Sequence, residues 1–216
     1  MTPPCRLCYS RKTELLHRGG KGFHSRDFYR CRMCGLVFVP DEFLLAPGEE
    51  RARYELHENS ADDAGYVQFL SNLSDELIPL LDPGAEGLDF GSGPTPVLCG
   101  LLDDAGFTMR GYDLYFQPDE SALQRSYDFI SCTETVEHFR DPAKEFDRLD
   151  GLLRPGGVLG VMTAMLDDWS GFADWHYPRD DTHICFYSPD VMRWIAARFG
   201  WSAQCPRPNV VLFRKP

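Results

Sequence analysis

Two groups of residues in this chain have types and spacings that could do chemistry. The first is Cys5, Cys8, Cys31 and Cys34, two C-x-x-C pairs with 22 residues between them. Four soft thiolates in paired knuckles can surround one ion tetrahedrally, which suits zinc and supplies folding energy that so short a segment lacks. A disulfide pair would need an oxidising compartment that nothing in the sequence indicates, and a redox C-x-x-C normally occurs singly. Cys99, Cys132, Cys185 and Cys205 have no such pattern and read as small buried hydrophobes.

The second group is Glu134, Glu137 and His138, with His183 much further on in the run Asp180-Asp181-Thr182-His183. In a helical turn, residues at i, i+3 and i+4 share one face, so the first three can converge. Two carboxylates and two imidazoles brought together make a divalent-metal site. Such an ion would lower the pKa of a bound hydroxyl. The same residues without metal could shape a loop or supply a general base. His176 is an alternative fourth ligand, although a lone histidine between aromatics is more often packing.

The elements that must position these residues follow from periodicity and punctuation. Apolar residues at Tyr66, Phe69, Leu70, Leu73, Leu77, Leu80 and Leu81 predict a helix over 61 to 82, with Pro79 ending its regular part early. Gly87 to Phe90 reads as a strand, and Gly91-Ser92-Gly93 leads from it into a helix capped by Thr95 with Pro96 in its first turn. A second strand near Met109 to Tyr112 ends in Asp113, 20 residues after Gly93. A carboxylate there accepts the ribose hydroxyls of an adenosine ligand. Pro94 and Pro96 remove backbone donors where a pyrophosphate would rest, and the third glycine of a dinucleotide fingerprint is missing, which disfavours a nicotinamide cofactor.

Alternating strands and helices up to residue 163 predict an α/β fold with a parallel sheet. About a dozen residues lie between Asp113 and the strand beginning at Tyr127, too few for helix, strand and helix, so the third-strand region is shortened, with Ala122-Leu123-Gln124 as its remnant. Residues 1 to 40 are read as a zinc ribbon, 41 to 60 as a linker turning at Pro47-Gly48, and 61 to 216 as the catalytic domain. Segment 166 to 187, rich in aromatics, is longer than an ordinary connection and reads as a substrate lid. After it, Ser188-Pro189 starts a helix ending at Gly200, and 201 to 205 with 209 to 213 form a final hairpin.

Taken in order, LDFGSGPTP, GYD, YDFISCTETVEHFRDP and LLRPGGVLGVMT resemble the motif series of class I S-adenosylmethionine-dependent methyltransferases over roughly residues 60 to 215. With the ribbon, the chain is similar to bacterial zinc-ribbon methyltransferases. The resemblance implies a Rossmann-like sheet binding S-adenosylmethionine, with Asp89, Gly91 and Gly93 at the methionine part and Asp113 at the ribose. Cys132 and Thr133 would line the cofactor, and Tyr66 would cover its methionine end. The acid that commonly recognises adenine has no secure counterpart, Asp119 and Glu120 being the nearest. The E-x-x-E-H motif with a distal His resembles that of ubiquinone-biosynthesis O-methyltransferases and of enzymes that methylate the terminal ribose of small RNAs, where it holds a metal at substrate hydroxyls.

The expected reaction is therefore O-methylation of a small hydroxylated molecule. N- or C-methylation by a histidine base, a nucleic-acid 3′ end, and a non-catalytic cofactor-binding scaffold are the alternatives. The net charge of -11 opposes a nucleic-acid partner, while residues 1 to 40, with 8 Lys and Arg against Glu14 and Asp27, leave the basic ribbon as a docking face for a partner. No apolar stretch is long enough to span a bilayer and the N-terminal residues lack the apolar core of a signal peptide, so a cytoplasmic location is expected.

Overall fold

The computed structural model describes residues 2 to 56 and 59 to 216. Its larger sheet contains β4 (Glu86–Phe90), β5 (Thr108–Tyr112), β6 (Tyr127–Thr133), β7 (Leu153–Met162), β9 (Ser202–Arg207) and β10 (Val210–Arg214), in the order β5-β4-β6-β7-β10-β9. The first four strands of that order are parallel, and β10 runs antiparallel to both its neighbours. Strand order reverses about β4, so a crevice opens at the carboxyl ends of β4, β5 and β6. Register places the functional loops there together, since Asp89 lies opposite both Gly111 and Ser131, and Phe90 opposite Tyr112.

Local chemistry sets the helices. Helix α2 (Ala64–Leu77) begins where the Asp63 carboxylate accepts from the Gly65 and Tyr66 amides, and Pro79, lacking a donor, turns the chain into a 3-10 segment at Ile78–Leu80. Its face of Leu70, Leu73 and Leu77 is buried on the sheet. Helix α4 (Pro142–Leu152) is capped by Asp141, and α5 (Pro189–Phe199) by Ser188, with Gly200 left-handed at its end. Helix α3 (Val97–Asp104) departs from expectation: Pro96 takes the N-cap position without a side-chain bond, and Thr95 offers only its carbonyl.

Between β5 and β6 there is no strand among the described residues. The predicted remnant at Ala122-Leu123-Gln124 belongs to a 3-10 segment, Glu120–Gln124, because a tight turn closed by the Asp113–Gln117 pair leaves too little chain to reach a sheet edge.

The turn expected at Pro47-Gly48 is a helix start instead. Pro47-Gly48 starts α1 (Pro47–Tyr54), with Pro47 at the first turn, where a missing N–H costs nothing, and Glu49 closing back on the Ala46 amide.

The N-terminal cysteine module is built on β1 (Thr13–Arg18), β2 (Asp27–Cys31) and β3 (Val37–Phe38). Its fourth strand is β8 (Cys185–Phe186), which pairs antiparallel with β3. The aromatic segment before β8 is therefore not a free lid. Phe172 and Phe186 pack edge-on against Phe28, with ring centroids 5.0 and 5.7 Å away, and all three are buried. One continuous core runs from Cys5 and Leu7 through these rings to Val161 and Phe213 in the large sheet. Among the described residues no helix is long and apolar enough to cross a membrane.

Candidate active site and candidate metal centre

A cavity of about 670 Å³ opens at the carboxyl edge of β4, β5 and β6. Tyr66, Asp89, Gly91, Gly93, Asp113, Thr133, Glu134, His138 and His183 all line it. Gly91 and Gly93 have φ of +83° and +68°. A Cβ on Gly91 would meet the Thr135 side chain at 2.3 Å, whereas one on Gly93 would enter open space, the room a ligand needs against this backbone. Asp89 is buried and accepts from Ser131 Oγ at 2.7 Å; burial lifts its pKa to about 6. Asp113 is fixed by the Gly93, Tyr115 and Phe116 amides at 3.0, 2.8 and 3.0 Å, which ties the end of β5 to the glycine loop. Thr133 Oγ1 is a buried hydroxyl oxygen with no partner, a group that a bound ligand can satisfy.

Cys132 departs from expectation. Side chains alternate along a strand, so with Thr133 on the cavity wall its neighbour turns into the core, where it is fully buried. Tyr66 does line the cavity; burial, then the charges of Asp89 and Glu134, raise its pKa to about 12. Asp119 and Glu120 lie outside the lining, and Asp119 instead accepts from the Ser121 amide. The residues there are Leu114, Tyr115 and Phe116.

The Glu134 to His138 segment is not an α-helical turn. Glu134 is left-handed, with φ +46°, and only Val136–His138 forms a 3-10 turn. Glu137, His138 and His183 nevertheless converge, each offering a ligand atom within 4.8 Å of the others. The predicted fourth member, Glu134, stands apart: it accepts from Tyr177 Oη at 3.1 Å, and the same hydroxyl also contacts Glu137. Thr163 Oγ1 donates to the second oxygen of Glu137 at 3.0 Å. One hydroxyl proton cannot serve two carboxylates, so this group needs a shared proton or a cation. Burial accordingly raises Glu134 to about 8 and Glu137 to about 7.

Both imidazoles are oriented from behind. His138 Nδ1 lies 3.0 Å from the Thr182 carbonyl, and His183 Nδ1 lies 2.9 Å from that of Tyr177. A carbonyl only accepts, so each ring carries its proton on Nδ1 and keeps a lone pair on Nε2. The His138 Nε2 faces Glu137 at 4.0 Å, and the two rings meet edge-on at 4.9 Å. Burial lowers the His138 pKa, and burial with the neighbouring His138 takes His183 down to about 3. His176 is exposed and lies outside the cluster.

Sequence reasoning missed the wall supplied by α1. Glu50, Tyr54, Tyr115 and Arg140 line the cavity, and the buried Glu50 carboxylate joins them: it accepts from Tyr54 Oη at 2.9 Å, from Tyr115 Oη at 3.1 Å and from Arg140. Tyr54 also meets the His138 ring edge-on at 5.2 Å. The only local signal was Pro47 followed by Glu49 and Glu50, a helix start in a stretch with no apolar periodicity.

The four N-terminal cysteines come together as their spacing predicts. Their Sγ atoms lie within 4.8 Å of one another, with Cys5–Cys34 and Cys8–Cys31 both at 3.5 Å. Four sulfurs tetrahedral at a Zn–S distance of about 2.3 Å would be about 3.8 Å apart, so the set fits a zinc ion. The Met33 amide points at Cys31 Sγ at 3.4 Å, as in a knuckle that stabilises thiolate.

With this geometry in view, comparisons with known proteins define the family. The chain superimposes on 1,6-didemethyltoxoflavin-N1-methyltransferase of Burkholderia thailandensis, solved with 1,6-didemethyltoxoflavin and S-adenosylhomocysteine, with TM-score 0.53 and 14% identity over 83% of this chain and 95% of that one. It also superimposes on an O-methyltransferase family 2 protein of Planctomyces limnophilus in complex with apigenin, with TM-score 0.53 and 13% identity over 80% of this chain and 63% of that one. At these identities the likeness is one of fold. No curated protein matches the sequence. The methyltransferase domain family matches residues 62–205, two thirds of the chain, and this protein therefore belongs to that family and is an S-adenosylmethionine-dependent methyltransferase.

Proposed function

We propose that the enzyme methylates an oxygen of a small hydroxylated molecule and that Glu137, His138 and His183 hold a divalent ion that assists. The observation that supports this reading is the orientation of the two imidazoles. Their Nδ1–H groups are occupied by the Thr182 and Tyr177 carbonyls, His138 Nε2 faces the buried Glu137 carboxylate at 4.0 Å, and each ring offers a nitrogen within 4.8 Å of the other and of that carboxylate. A backbone acceptor behind each ring is the arrangement that fixes histidine ligands.

Asp113 is the acceptor for the cofactor ribose. The glycine loop with Asp89 receives the methionine part, and Thr133 Oγ1 and Tyr66 complete the wall. Leu114, two-thirds exposed beside Asp113, offers the adenine an apolar face. When bound, the cofactor supplies a methyl group on a sulfonium leaving group, so the protein's main task is to align the acceptor for in-line attack. A divalent ion on these ligands supplies Lewis acidity that lowers the pKa of a hydroxyl. Glu134, sharing the Tyr177 hydroxyl with Glu137, is placed to take the proton that the acceptor releases. The four N-terminal thiolates hold a structural zinc.

One observation favours a second reading. Tyr177 Oη occupies the space between Glu134 and Glu137, so the cluster is coherent without metal if one carboxyl keeps a proton. Neutral His138 or His183 would then act as general base toward an oxygen, nitrogen or carbon acceptor. A crystal grown with S-adenosylhomocysteine and a divalent ion, with anomalous data, separates the two. An ion on Glu137, His138 and His183 with methyl transfer lost on chelation is the expected result. An empty cluster and chelator-resistant turnover would give the site to the base mechanism.

A further inference from the structure

The loop from Tyr177 to His183 presents its carbonyls in two directions. Those of Tyr177 and Thr182 face the His183 and His138 rings. The carbonyls of Pro178, Asp180, Asp181 and His183 converge on one guanidinium, that of Arg26 in the cysteine module. Nη2 donates to Pro178 and Asp180 at 2.7 Å each, and Nη1 to Asp181 and His183 at 2.9 Å each. The remaining carbonyl, Arg179, lies 3.0 Å from His24 Nε2. Thus all seven consecutive carbonyls are used, five by the cysteine module and two by the imidazoles.

Arg26 is built for this. It is 2% exposed and stacks over Phe28 at 5.5 Å, and the acids Asp180 and Asp181 offset its charge. His24 and Ser25, both left-handed with φ of +53° and +58°, turn the chain so that Arg26 enters the loop. A buried cation with four carbonyls cannot be exchanged for a neutral group without leaving acceptors unsatisfied, and a lysine has too few donors and no planar fork.

From this juxtaposition we propose that Arg26, with His24 beside it, is a positioning residue of the active site. By gathering one set of carbonyls it turns the other set toward His138 and His183, and so fixes which ring nitrogen each presents to the cavity. The cysteine module thereby belongs to the machinery of the reaction. This rests on the reading of His138 and His183 given under the proposed function.

Long-range ¹H–¹⁵N spectra of the zinc-loaded full chain, with ring signals assigned by single His→Gln variants, test it without a substrate. Wild type should show both rings as Nδ1–H tautomers. In Arg26→Lys, about half or more of the His183 population should move to the Nε2–H form, while affinity for S-adenosylhomocysteine stays within about threefold, because the cofactor loops do not touch Arg26. Unchanged His183 and His138 signals in folded Arg26→Lys would overturn the proposal, as would Nε2–H rings in wild type. Should Arg26→Lys not fold, His24→Ala, a substitution at a half-exposed residue, decides by the same signals: a shifted His183 supports positioning and an unmoved one refutes it. Failure of wild type to bind S-adenosylhomocysteine would strike the reading of the cavity alone, leaving the tautomer result to judge Arg26.

Discussion

Glu50 takes both the Nη2 and the Nε of Arg140 on one carboxylate oxygen, at 2.6 and 3.2 Å, and so ties α1 to the loop that follows His138. Its other contacts extend the link to Tyr115, two residues after Asp113, and to Tyr54 on the His138 ring. Glu50→Ala should cost about 1–2 kcal/mol of stability, tempered by the partial exposure of Arg140. It should also weaken S-adenosylhomocysteine binding, whereas Glu50→Gln should restore part of each. Urea denaturation and calorimetry on the two variants check both effects; a Glu50→Ala protein with wild-type affinity would show that α1 does not brace the cavity.

Asp113 has two jobs, accepting three backbone amides and, in the proposed complex, the ribose hydroxyls. Asp113→Asn keeps an acceptor for the amides but loses the charge. It should fold with a melting temperature near that of wild type while binding S-adenosylhomocysteine about 10-fold or more weakly, the loss of a charged hydrogen bond or two. Equal affinity in a calorimetric titration would move ribose recognition elsewhere.

Without a divalent ion, the Glu134–Glu137 pair makes stability depend on pH. Both carboxyls have folded pKa values raised by burial, to about 8 and about 7, above their ordinary 4.5. The folded state therefore holds protons that the unfolded chain has released, and stability falls as pH rises through this range. His183 works the other way: lowered to about 3, it contributes stability above its ordinary 6.5 that is lost as pH falls below it. Of these three groups only the acids change between pH 6.5 and 8, so across that window the melting temperature of protein without added divalent ion should drop relative to that of a Glu134→Gln variant, and added Mg²⁺ or Mn²⁺ should remove the difference. Identical profiles for wild type and Glu134→Gln would contradict the shared proton.

Cys31→Ser should abolish zinc at the N-terminal site and, because β3 pairs with β8, destabilise the segment carrying His183 as well. Elemental analysis should find stoichiometric zinc in wild type and little in the variant. Hydrogen exchange should show faster amides in residues 184 to 186. Zinc retained in the variant would remove the four-thiolate site.

How far the sequence discloses this molecule depends on the range over which its signals act. The glycine turn, Asp113 at a strand end and the paired cysteines are local patterns, each dictated by backbone geometry or ligand spacing within a few residues. The partnership of Glu50 with Arg140, 90 residues away, and that of Arg26 with four carbonyls about 155 residues away leave no periodicity to read. Tyr177 was visible only as one aromatic among many. Helical spacing predicts that Glu134 meets Glu137, and the two do meet, but through the shared Tyr177 hydroxyl and with Glu134 left-handed, outside the group of Glu137, His138 and His183; such a backbone choice depends on tertiary context rather than residue type. The 41 to 60 stretch lacked an apolar stripe because its helix docks through Glu50 instead of through a hydrophobic face.

The pairing of β3 with β8 also has a consequence for how the chain is made. The cysteine hairpin leaves the ribosome before its outer strand partner, which follows roughly 150 residues later, about 8–30 s at ordinary rates of synthesis. Until then β3 is an open edge and Phe28 has neither Phe172 nor Phe186 to cover it. The nascent hairpin must wait half-finished, and with the zinc proposed for its four thiolates, metal supplied during translation rather than after release would be what holds it together in that interval.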